Sequence, residues 1–277
     1  MTNEELNKIK NLQNEIKKLR GLKKVLRRNF QDMVGLLTVT ISQTNTFLGG
    51  HLRRTALICK SFCEYMRYDK DTVYRIYYGA LLHDIGMVGM PEKIINTPSE
   101  QLSEADFIFF KRHPVIGEKM ILSAYDLRQT AKIVRSHHED FGGDGFPDRL
   151  AGSEIPIGAR ITRLANDYDN LIYKNKIKAK QAAETLKERA GYIYDPKLTP
   201  YFIKFIEENV TLKDKETKPA GIKIKDLKIG MYTAEDIMLS NGMLLIPKGI
   251  ILDSAMLEKI QSFDTLLDTE RVVSILR

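Results

Sequence analysis

The 277-residue sequence contains no tryptophan and only two cysteines, Cys59 and Cys63. The two thiols lie four residues apart in a predicted helix, with no CxxC pair and no second cysteine cluster, so a zinc finger and a disulfide framework are excluded. We expect buried free thiols in a reducing compartment. The sequence also lacks the ~18 consecutive apolar residues of a membrane span and an N-terminal secretory pattern. We therefore expect a soluble, cytoplasmic protein.

Net positive charge is small outside the first 30 residues. The chain has a formal net charge of +7, and residues 1–30 hold nine Lys or Arg and three Glu, a net of 9 − 3 = +6. The remaining 247 residues therefore carry 7 − 6 = +1. The basic segment offers a surface for an acidic protein, a nucleic acid or a lipid. A solvated helix face is the favoured interpretation, so no nucleic-acid partner is expected.

A long helix is predicted for residues 1–45, because apolar residues recur there at alternating steps of three and four. These residues are Ile9, Leu12, Ile16, Leu19, Leu26, Phe30 and Met33. This heptad seam is typical of a coiled coil and predicts a homodimer through the N-terminal helix. The alternative is a helix that packs on its own domain, since Gly21 and Lys23 weaken the middle of the seam.

The rest of the chain divides into three predicted segments, which together give a mainly α fold. Residues 46–210 show helical patterns throughout, and residues 211–221 form a polar linker that ends in Pro and Gly. Residues 222–277 contain short β-like runs and a turn at 240–242, which predict a small β-rich module with one helix near Ala255–Phe263.

The five histidines all lie in short polar motifs. They are His51 in HLRR, His83 in LLHDIG, His113 in KRHPVIG, and the pair His137 and His138 in HHEDFGGDGFP. Imidazole is the commonest metal ligand at neutral pH, and a neighbouring carboxylate such as Asp84 can bridge two ions. Two cations about 3.5–4 Å apart can clamp a phosphodiester. The pattern predicts such a site if the fold gathers these residues, and ordinary core or surface histidines are the alternative.

Several motifs, in order, resemble the HD-GYP family of metal-dependent phosphohydrolases, and the resemblance covers residues 51 to about 206. The motifs are LLHDIG followed by MPEKII, KRHPVIGEKMI, HHE before a Gly/Pro turn, IPIGARI and GYIYDPKL. The resemblance implies an all-helical domain. Many family members hydrolyse the bacterial second messenger cyclic di-GMP at a site of two or three metal ions, most often iron or manganese.

The resemblance implies a role for each matching residue. The implied metal ligands are His51, His83, Asp84, His113, His137, His138 and Asn166. Asp84 would bridge the two divalent ions and act as the catalytic carboxylate, and the helix 126–138 would carry the adjacent imidazoles. The implied substrate contacts are Lys178 and the residues that stand where the family has Gly-Tyr-Pro, namely Gly145, Phe146 and Pro147.

The sequence departs from the family pattern around the substrate. Met87 replaces a lysine expected near phosphate, Asn166 replaces an aspartate ligand, and Asn175 replaces a phosphate-binding arginine. Phe47 stands where some members carry a glutamate for a third metal. Asp169 lies closer than Asp167 to the helix face of Asn166.

Three functions are therefore open. The leading expectation is a metal-dependent phosphodiesterase that converts cyclic di-GMP to pGpG or GMP. A catalytically degenerate nucleotide receptor or signalling scaffold with a protein partner is the first alternative. A phosphohydrolase acting on another nucleotide is the second.

Overall fold

A computed structural model describes residues 3–124, 127–209, 220–229, 231–246, 248, 252, 254–263 and 267–276. The chain forms two compact units, residues 1–40 and 41–277. The fold is mainly α, as predicted. The helices are α1 (Asn3–Thr44), α2 (Thr46–Tyr65), α3 (Lys70–Leu82), α4 (Glu92–Asn96), α5 (Glu104–Phe110), α6 (His113–Leu122), α7 (Arg128–Ser136), α8 (Ile157–Asp169), α9 (Ala179–Glu188), α10 (Thr199–Asn209) and α11 (Ser254–Ser262). Within the described residues, none of the helices is long and apolar enough to cross a membrane.

The predicted N-terminal helix is present as α1. Six of the seven apolar seam residues are exposed, and Leu19, Leu26 and Met33 are each between 58% and 64% accessible. Phe30 is the seam residue that is buried. An apolar seam that stays accessible along several turns is unusual for a helix that packs wholly on its own chain.

The core of the second unit forms where α2 contacts both α3 and α8. Asn45 caps α2, because its side-chain oxygen accepts a hydrogen bond from the backbone N–H of Leu48 at 2.8 Å. Leu52, Ile161 and Leu164 are fully buried in this core. The cysteines on α2 are free and buried as expected, and burial raises the pKa of Cys63 to about 12.

A close backbone approach fixes the segment after α3 against α6. A short 3-10 turn, Ile85–Met87, follows Asp84. A Cβ atom at Gly86 would lie 2.0 Å from the carbonyl oxygen of His113, so only glycine fits there. This contact sets the distance between the His83–Asp84 pair and the first residue of α6.

The C-terminal module contains two small antiparallel sheets. Their strands are β1 (Ala220–Lys223), β2 (Tyr232–Thr233), β3 (Ile237–Met238), β4 (Leu244–Ile246) and β5 (Val272–Leu276). The first sheet has the order β1-β5-β2, and β3 pairs with β4 through the predicted turn. At this turn Gly242 adopts a φ of +80°, a conformation that favours glycine.

The β module docks on α2 through an arginine. One terminal nitrogen of Arg53 donates hydrogen bonds to the carbonyl oxygens of Leu244 and Leu245, at 3.2 and 3.0 Å. Leu57, one turn further along α2, packs against the apolar core of the module. The module therefore touches the same helix that carries His51.

Some predicted boundaries shift. The predicted helix 126–138 is observed as α7, which begins at Arg128 and ends at Ser136, and residue 126 lies outside the described residues. Residues 211–219 of the predicted linker also lie outside them. The first strand begins at Ala220, two residues before the predicted start of the module.

Candidate metal centre

The fold gathers all five histidines around Asp84. His51 lies in α2, His83 and Asp84 follow the end of α3, and His113 opens α6. The remaining pair directly follows α7. All six side chains are buried, with accessibilities of 9% or less. Two groups that could each hold a metal ion share Asp84: one with His51 and His83, the other with the remaining three histidines.

Three of the histidines adopt the same tautomer, because each ring contacts a backbone carbonyl three residues earlier. Nδ1 of His83, His113 and His137 lies 2.7 Å from the carbonyl oxygen of the residue three positions earlier, in the last turn of the preceding helix. These carbonyls have no partner within the helix, and a carbonyl can only accept. Nδ1 therefore donates its proton in each case, and in the neutral ring the lone pair of Nε2 is available to a cation.

His51 reaches the same tautomer through a carboxylate. Its Nδ1–H donates to Asp169 Oδ2 at 2.7 Å, and Asp169 also accepts from Arg54 at 2.6 and 3.0 Å. The Arg54 guanidinium lies 3.8 Å from the centre of the Tyr173 ring. Burial raises the pKa of Asp169, but Arg54 and His51 together lower it by more. The net pKa is below the usual value. Asp169 lies behind His51 as an orienting group and does not occupy the place of Asn166.

We call His51, His83, Asn166 and Asp84 Oδ2 the first half-site. Nε2 of His51 lies 3.2 Å from Nε2 of His83, and both lie within 3.2 Å of Asn166 Oδ1. Asp84 Oδ2 is 3.2 Å from His83 Nε2 and 3.6 Å from His51 Nε2. Every converging atom is an acceptor in the assigned tautomers, an arrangement that favours a cation between them.

We call His113, His137, His138 and Asp84 Oδ1 the second half-site. The Nε2 atoms of His113 and His137 lie 3.1 Å apart, and Asp84 Oδ1 is 3.0 and 3.4 Å from them. Burial lowers the pKa of His137 to about 3, so its imidazole is neutral at pH 7. A neutral imidazole is the form that binds a metal ion.

His138 differs from the other four histidines. Arg163 on α8 donates a hydrogen bond to His138 Nδ1 at 2.7 Å, and a guanidinium cannot accept. The neutral ring of His138 therefore carries its proton on Nε2. Arg163 is held in turn by Asp140 at 3.0 Å and Asp167 at 3.3 Å. Arg163 thus donates to Nδ1 of His138, whereas Nδ1 of each of the other histidines is itself the donor that fixes the ring.

The donor set fits two divalent cations. Asp84 Oδ1 is buried without a hydrogen-bond partner, because the facing imidazole nitrogens are acceptors in this tautomer. Burial raises the pKa of Asp84, but the positive charge that His83 and His113 carry when protonated in the metal-free chain holds it well below the usual range. A buried anion ringed by imidazole lone pairs is the chemistry of a bridging metal ligand.

The turn after His138 is built by hydrogen bonds and one glycine. The carboxylate of Glu139 accepts from the backbone N–H groups of Asp148 and Leu150, at 2.7 and 3.0 Å. A Cβ atom at Gly145 would lie 2.2 Å from the backbone nitrogen of Asp140. Phe146 stacks on His138, with ring centroids 4.7 Å apart and planes 16° apart. Packing by the ring therefore survives without a tyrosine hydroxyl.

A cavity of about 550 Å³ opens over the two half-sites, a size typical of small-molecule sites. Its wall includes Phe47, Phe146, Met87 and Lys174. The predicted substrate contacts Phe146 and Lys178 differ in their position relative to the cavity, and Asn175, which replaces an arginine of the family pattern, is compared with them. Phe146 lines the cavity, whereas Lys178 does not, because it precedes α9 with its side chain exposed. Asn175 lines the cavity and donates a hydrogen bond to Glu100.

Sequence reasoning missed three residues of the site: Arg54, Arg163 and Lys174. Arg54 lies 115 positions from its partner Asp169, so no local pattern joins them. Arg163 sits three residues before Asn166 on α8, a spacing that indicates a shared helix face and was available as a signal. Lys174 ends a π-helical turn, Asn170–Lys174, that follows α8 and that no sequence pattern marked.

The fold and the site together define a helical protein with a buried histidine–aspartate cluster that could hold metal ions. A family model described as "HD domain" matches residues 36–198. The chain belongs to this HD-domain family.

The sequence of this chain is similar to those of two named phosphodiesterases. The 3'3'-cGAMP-specific phosphodiesterase 2 of Vibrio cholerae is 29% identical over 194 residues, which cover 68% of this chain and 37% of that protein. A cyclic di-GMP phosphodiesterase of the same organism is 29% identical over 231 residues, which cover 76% of this chain and 45% of that protein. The chain thus spans less than half the length of these relatives.

A solved structure supports the fold alone. It is Bd1817, a HDG"Y"P protein from Bdellovibrio bacteriovorus, with a TM-score of 0.52 and 22% sequence identity. The similarity covers 57% of this chain and 51% of that one.

Proposed function

We propose that the chain is a metal-dependent phosphodiesterase of cyclic dinucleotides. The observation that carries the proposal is the position of Asp84, whose two oxygens face two separate sets of imidazole Nε2 atoms. The implied ligands are His51, His83, Asp84, His113, His137, His138 and Asn166, for two divalent cations, iron or manganese. Cations held there supply charge for a phosphodiester and lower the pKa of water.

The residues around the centre have separate tasks in this proposal. Asp84 links the two half-sites, because one of its oxygens faces each of them. Asp169 fixes the ring of His51. For His138 to bind a metal through Nε2, the hydrogen bond from Arg163 must break, because that tautomer needs the Nδ1 proton. A metal ion held by His138 Nε2 would therefore require Arg163 or His138 to move.

The substrate class follows from the cavity and the relatives. The relatives are named for cyclic di-GMP and 3'3'-cGAMP. Phe47, Phe107 and Phe146 offer aromatic surfaces beside the metal centre, and aromatic rings can stack with nucleobases. Hydrolysis of cyclic di-GMP would yield pGpG or GMP.

A nucleotide receptor or scaffold is the second candidate, and one observation favours it. Asn166 presents a neutral oxygen to the first half-site, so the centre has Asp84 as its one carboxylate among the implied ligands. A less charged centre binds divalent cations more weakly. In this case the domain would bind nucleotide without turning it over.

We also propose a homodimer through α1, because its apolar seam is exposed over several turns. The double variant Leu19→Glu/Leu26→Glu should convert a dimer to a monomer in sedimentation velocity, since it places charges in the seam. Lys18→Glu/Lys24→Glu, which changes exposed charges on the same helix, is the control. An unchanged mass for the seam variant would reject this interface.

Turnover of cyclic di-GMP by protein loaded anaerobically with Fe(II) or Mn(II) tests the activity. We expect metal-dependent pGpG or GMP, resolved by chromatography and lost in His83→Ala. Lys180→Met, which changes an exposed residue outside the cavity, should retain turnover. No product from wild-type protein that carries two metals would reject the phosphodiesterase. Nucleotide binding by the same sample would then favour the receptor.

A further inference from the structure

Each end of the metal centre is flanked by an aromatic ring with a lysine ammonium over it. At the second half-site, Phe146 stacks on His138 and the Lys111 ammonium lies 5.6 Å from the Phe146 ring centre. At the first half-site, Phe47 lies parallel to His51, with planes 3° apart and centroids 6.4 Å apart. The Lys174 ammonium lies 5.8 Å from the Phe47 ring centre.

The two lysines have different surroundings. Lys111 is exposed, whereas Lys174 is half-buried. Burial lowers the pKa of Lys174, and the carboxylates of Asp84 and Glu100 act in the opposite direction. The ammonium is therefore within electrostatic range of the carboxylate at the middle of the metal centre. Within the described part of the chain, Lys174 makes no ion pair, so its three donors are available to a ligand.

Another basic side chain in the cavity wall, Arg163, is less suitable as a phosphate ligand. Arg163 is held by Asp140, Asp167 and His138. Met87 lies in the same wall and offers no charge. The π-helical turn after α8 ends at Lys174, and such turns often occur at functional sites.

We infer that Lys174 is the side chain that binds a phosphate oxygen of the substrate at the first half-site. The inference deepens the proposed function and rests on it for the identity of the substrate. A half-buried ammonium beside a metal-bound phosphodiester makes a charge-assisted hydrogen bond, which is stronger than the same contact in open solvent. The ligand chemistry is a phosphate group, and the remainder of the nucleotide is recognised elsewhere in the cavity.

The first test measures the affinity of inorganic phosphate for Mn(II)-loaded protein by titration calorimetry. In Lys174→Met, the dissociation constant should rise by about 10-fold or more, the cost of one charge-assisted hydrogen bond. Lys180→Met is the matched control, because it removes the same kind of side chain from an exposed position on α9 outside the cavity. Lys174→Arg should retain affinity within about threefold, since it keeps the charge. Metal content is measured in every sample.

The second test is the steady-state kinetics of cyclic di-GMP hydrolysis. Lys174→Met should lower kcat/KM by about 10-fold or more, chiefly through KM, if the contact is present already in the ground state. Equal phosphate affinity in Lys174→Met and wild type would overturn the inference. An equal loss in Lys174→Arg would also overturn it, because it would show a requirement for shape and not for charge.

The two proposals fail separately. If wild-type protein binds phosphate but turns over no cyclic dinucleotide, the activity falls and the phosphate affinities still decide the role of Lys174. If Mn(II)-loaded wild-type protein binds no phosphate, the assignment of Lys174 is overturned whatever the turnover.

Discussion

The two half-sites share the carboxylate of Asp84. Each also has two imidazoles with Nε2 facing that carboxylate, and the two half-sites differ in their third donor. In the first half-site this donor is the neutral oxygen of Asn166, and a buried Asp169–Arg54 pair supports the neighbouring His51. In the second it is His138, whose Nδ1 accepts from Arg163. The first half-site is weak in charge but pre-organised. The second is rich in imidazole, and its third ring would bind a metal ion through Nε2 only once Arg163 no longer donates to Nδ1.

Removal of the shared carboxylate should break both halves and give the largest effect. Asp84→Asn replaces the bridging anion by an amide, so both cations lose their charged ligand. We expect metal affinity to fall by more than the roughly 10- to 100-fold cost of an outer-shell change. Metal analysis after desalting measures it, with Asp144→Asn in the same cavity as the control. Two metals retained by Asp84→Asn would contradict a bridging role.

Loss of the orienting carboxylate should break the first half alone. Asp169→Asn removes the charge that fixes His51, and we expect a loss of roughly 10- to 100-fold in affinity for one metal equivalent. It also leaves the buried Arg54 charge unpaired, at a cost of about 3–5 kcal/mol in the free energy of unfolding. Competition with a chelator measures the affinity, and circular dichroism verifies the fold. An equal loss of both equivalents would mean that the halves are not separate.

Restoring a carboxylate should sharpen the comparison. Asn166→Asp adds a negative charge beside His51 and His83, and we expect affinity at the first half-site to rise by about 10-fold, or ~1.4 kcal/mol. Asp144→Asn, which alters a carboxylate elsewhere in the cavity wall, is the control for a change of charge that does not face the two imidazoles. Unchanged affinity in Asn166→Asp would mean that residue 166 is not a ligand.

Acid should weaken the second half before the first in metal-free protein. The folded pKa of His137 is lowered to about 3 by burial, so the unfolded chain binds its proton first, below about pH 6.5. Stability therefore falls as the pH drops from about 6.5 towards 3, by about 1 kcal/mol between pH 6.5 and 5.5 from this group. Asp169, whose folded pKa is lowered, contributes stability above about pH 3.9 that is lost below it.

Urea unfolding of chelator-treated protein across this pH range measures the effect. His137→Leu removes the titrating group and should flatten the dependence between pH 6.5 and 5.5. Lys132→Leu, which alters an exposed residue on the same helix, should not. An unchanged slope in His137→Leu would show that another group carries the acid sensitivity.

The local parts of the site were predictable from the sequence. His83, His113 and His137 each follow the last turn of a helix, where unpaired carbonyls accept from a ring nitrogen three residues later. That rule depends only on neighbours in the chain. The long apolar seam of α1 and the strands of the C-terminal module were likewise visible in the pattern.

The distant parts were not predictable, for physical reasons. The pairing of Arg54 with Asp169 depends on how α2 packs against α8, which no single motif encodes. The choice between Lys174 and Lys178 depends on a widened helical turn, whose register cannot be obtained from residue preferences. Arg163 is charged and yet sits beside a histidine, a contact that becomes reasonable only once Asp140 and Asp167 are seen around it.

The contact between Arg53 and β4 has a practical consequence for experiments that shorten the protein. Arg53 uses the carbonyl oxygens of Leu244 and Leu245, and its neighbour Arg54 holds Asp169 behind His51. A truncation that ends before Ala220 would strip the acceptors from a buried guanidinium next to the residue that orients a metal ligand. The β module therefore helps to support the candidate metal centre. A helical fragment without the module would lack that support.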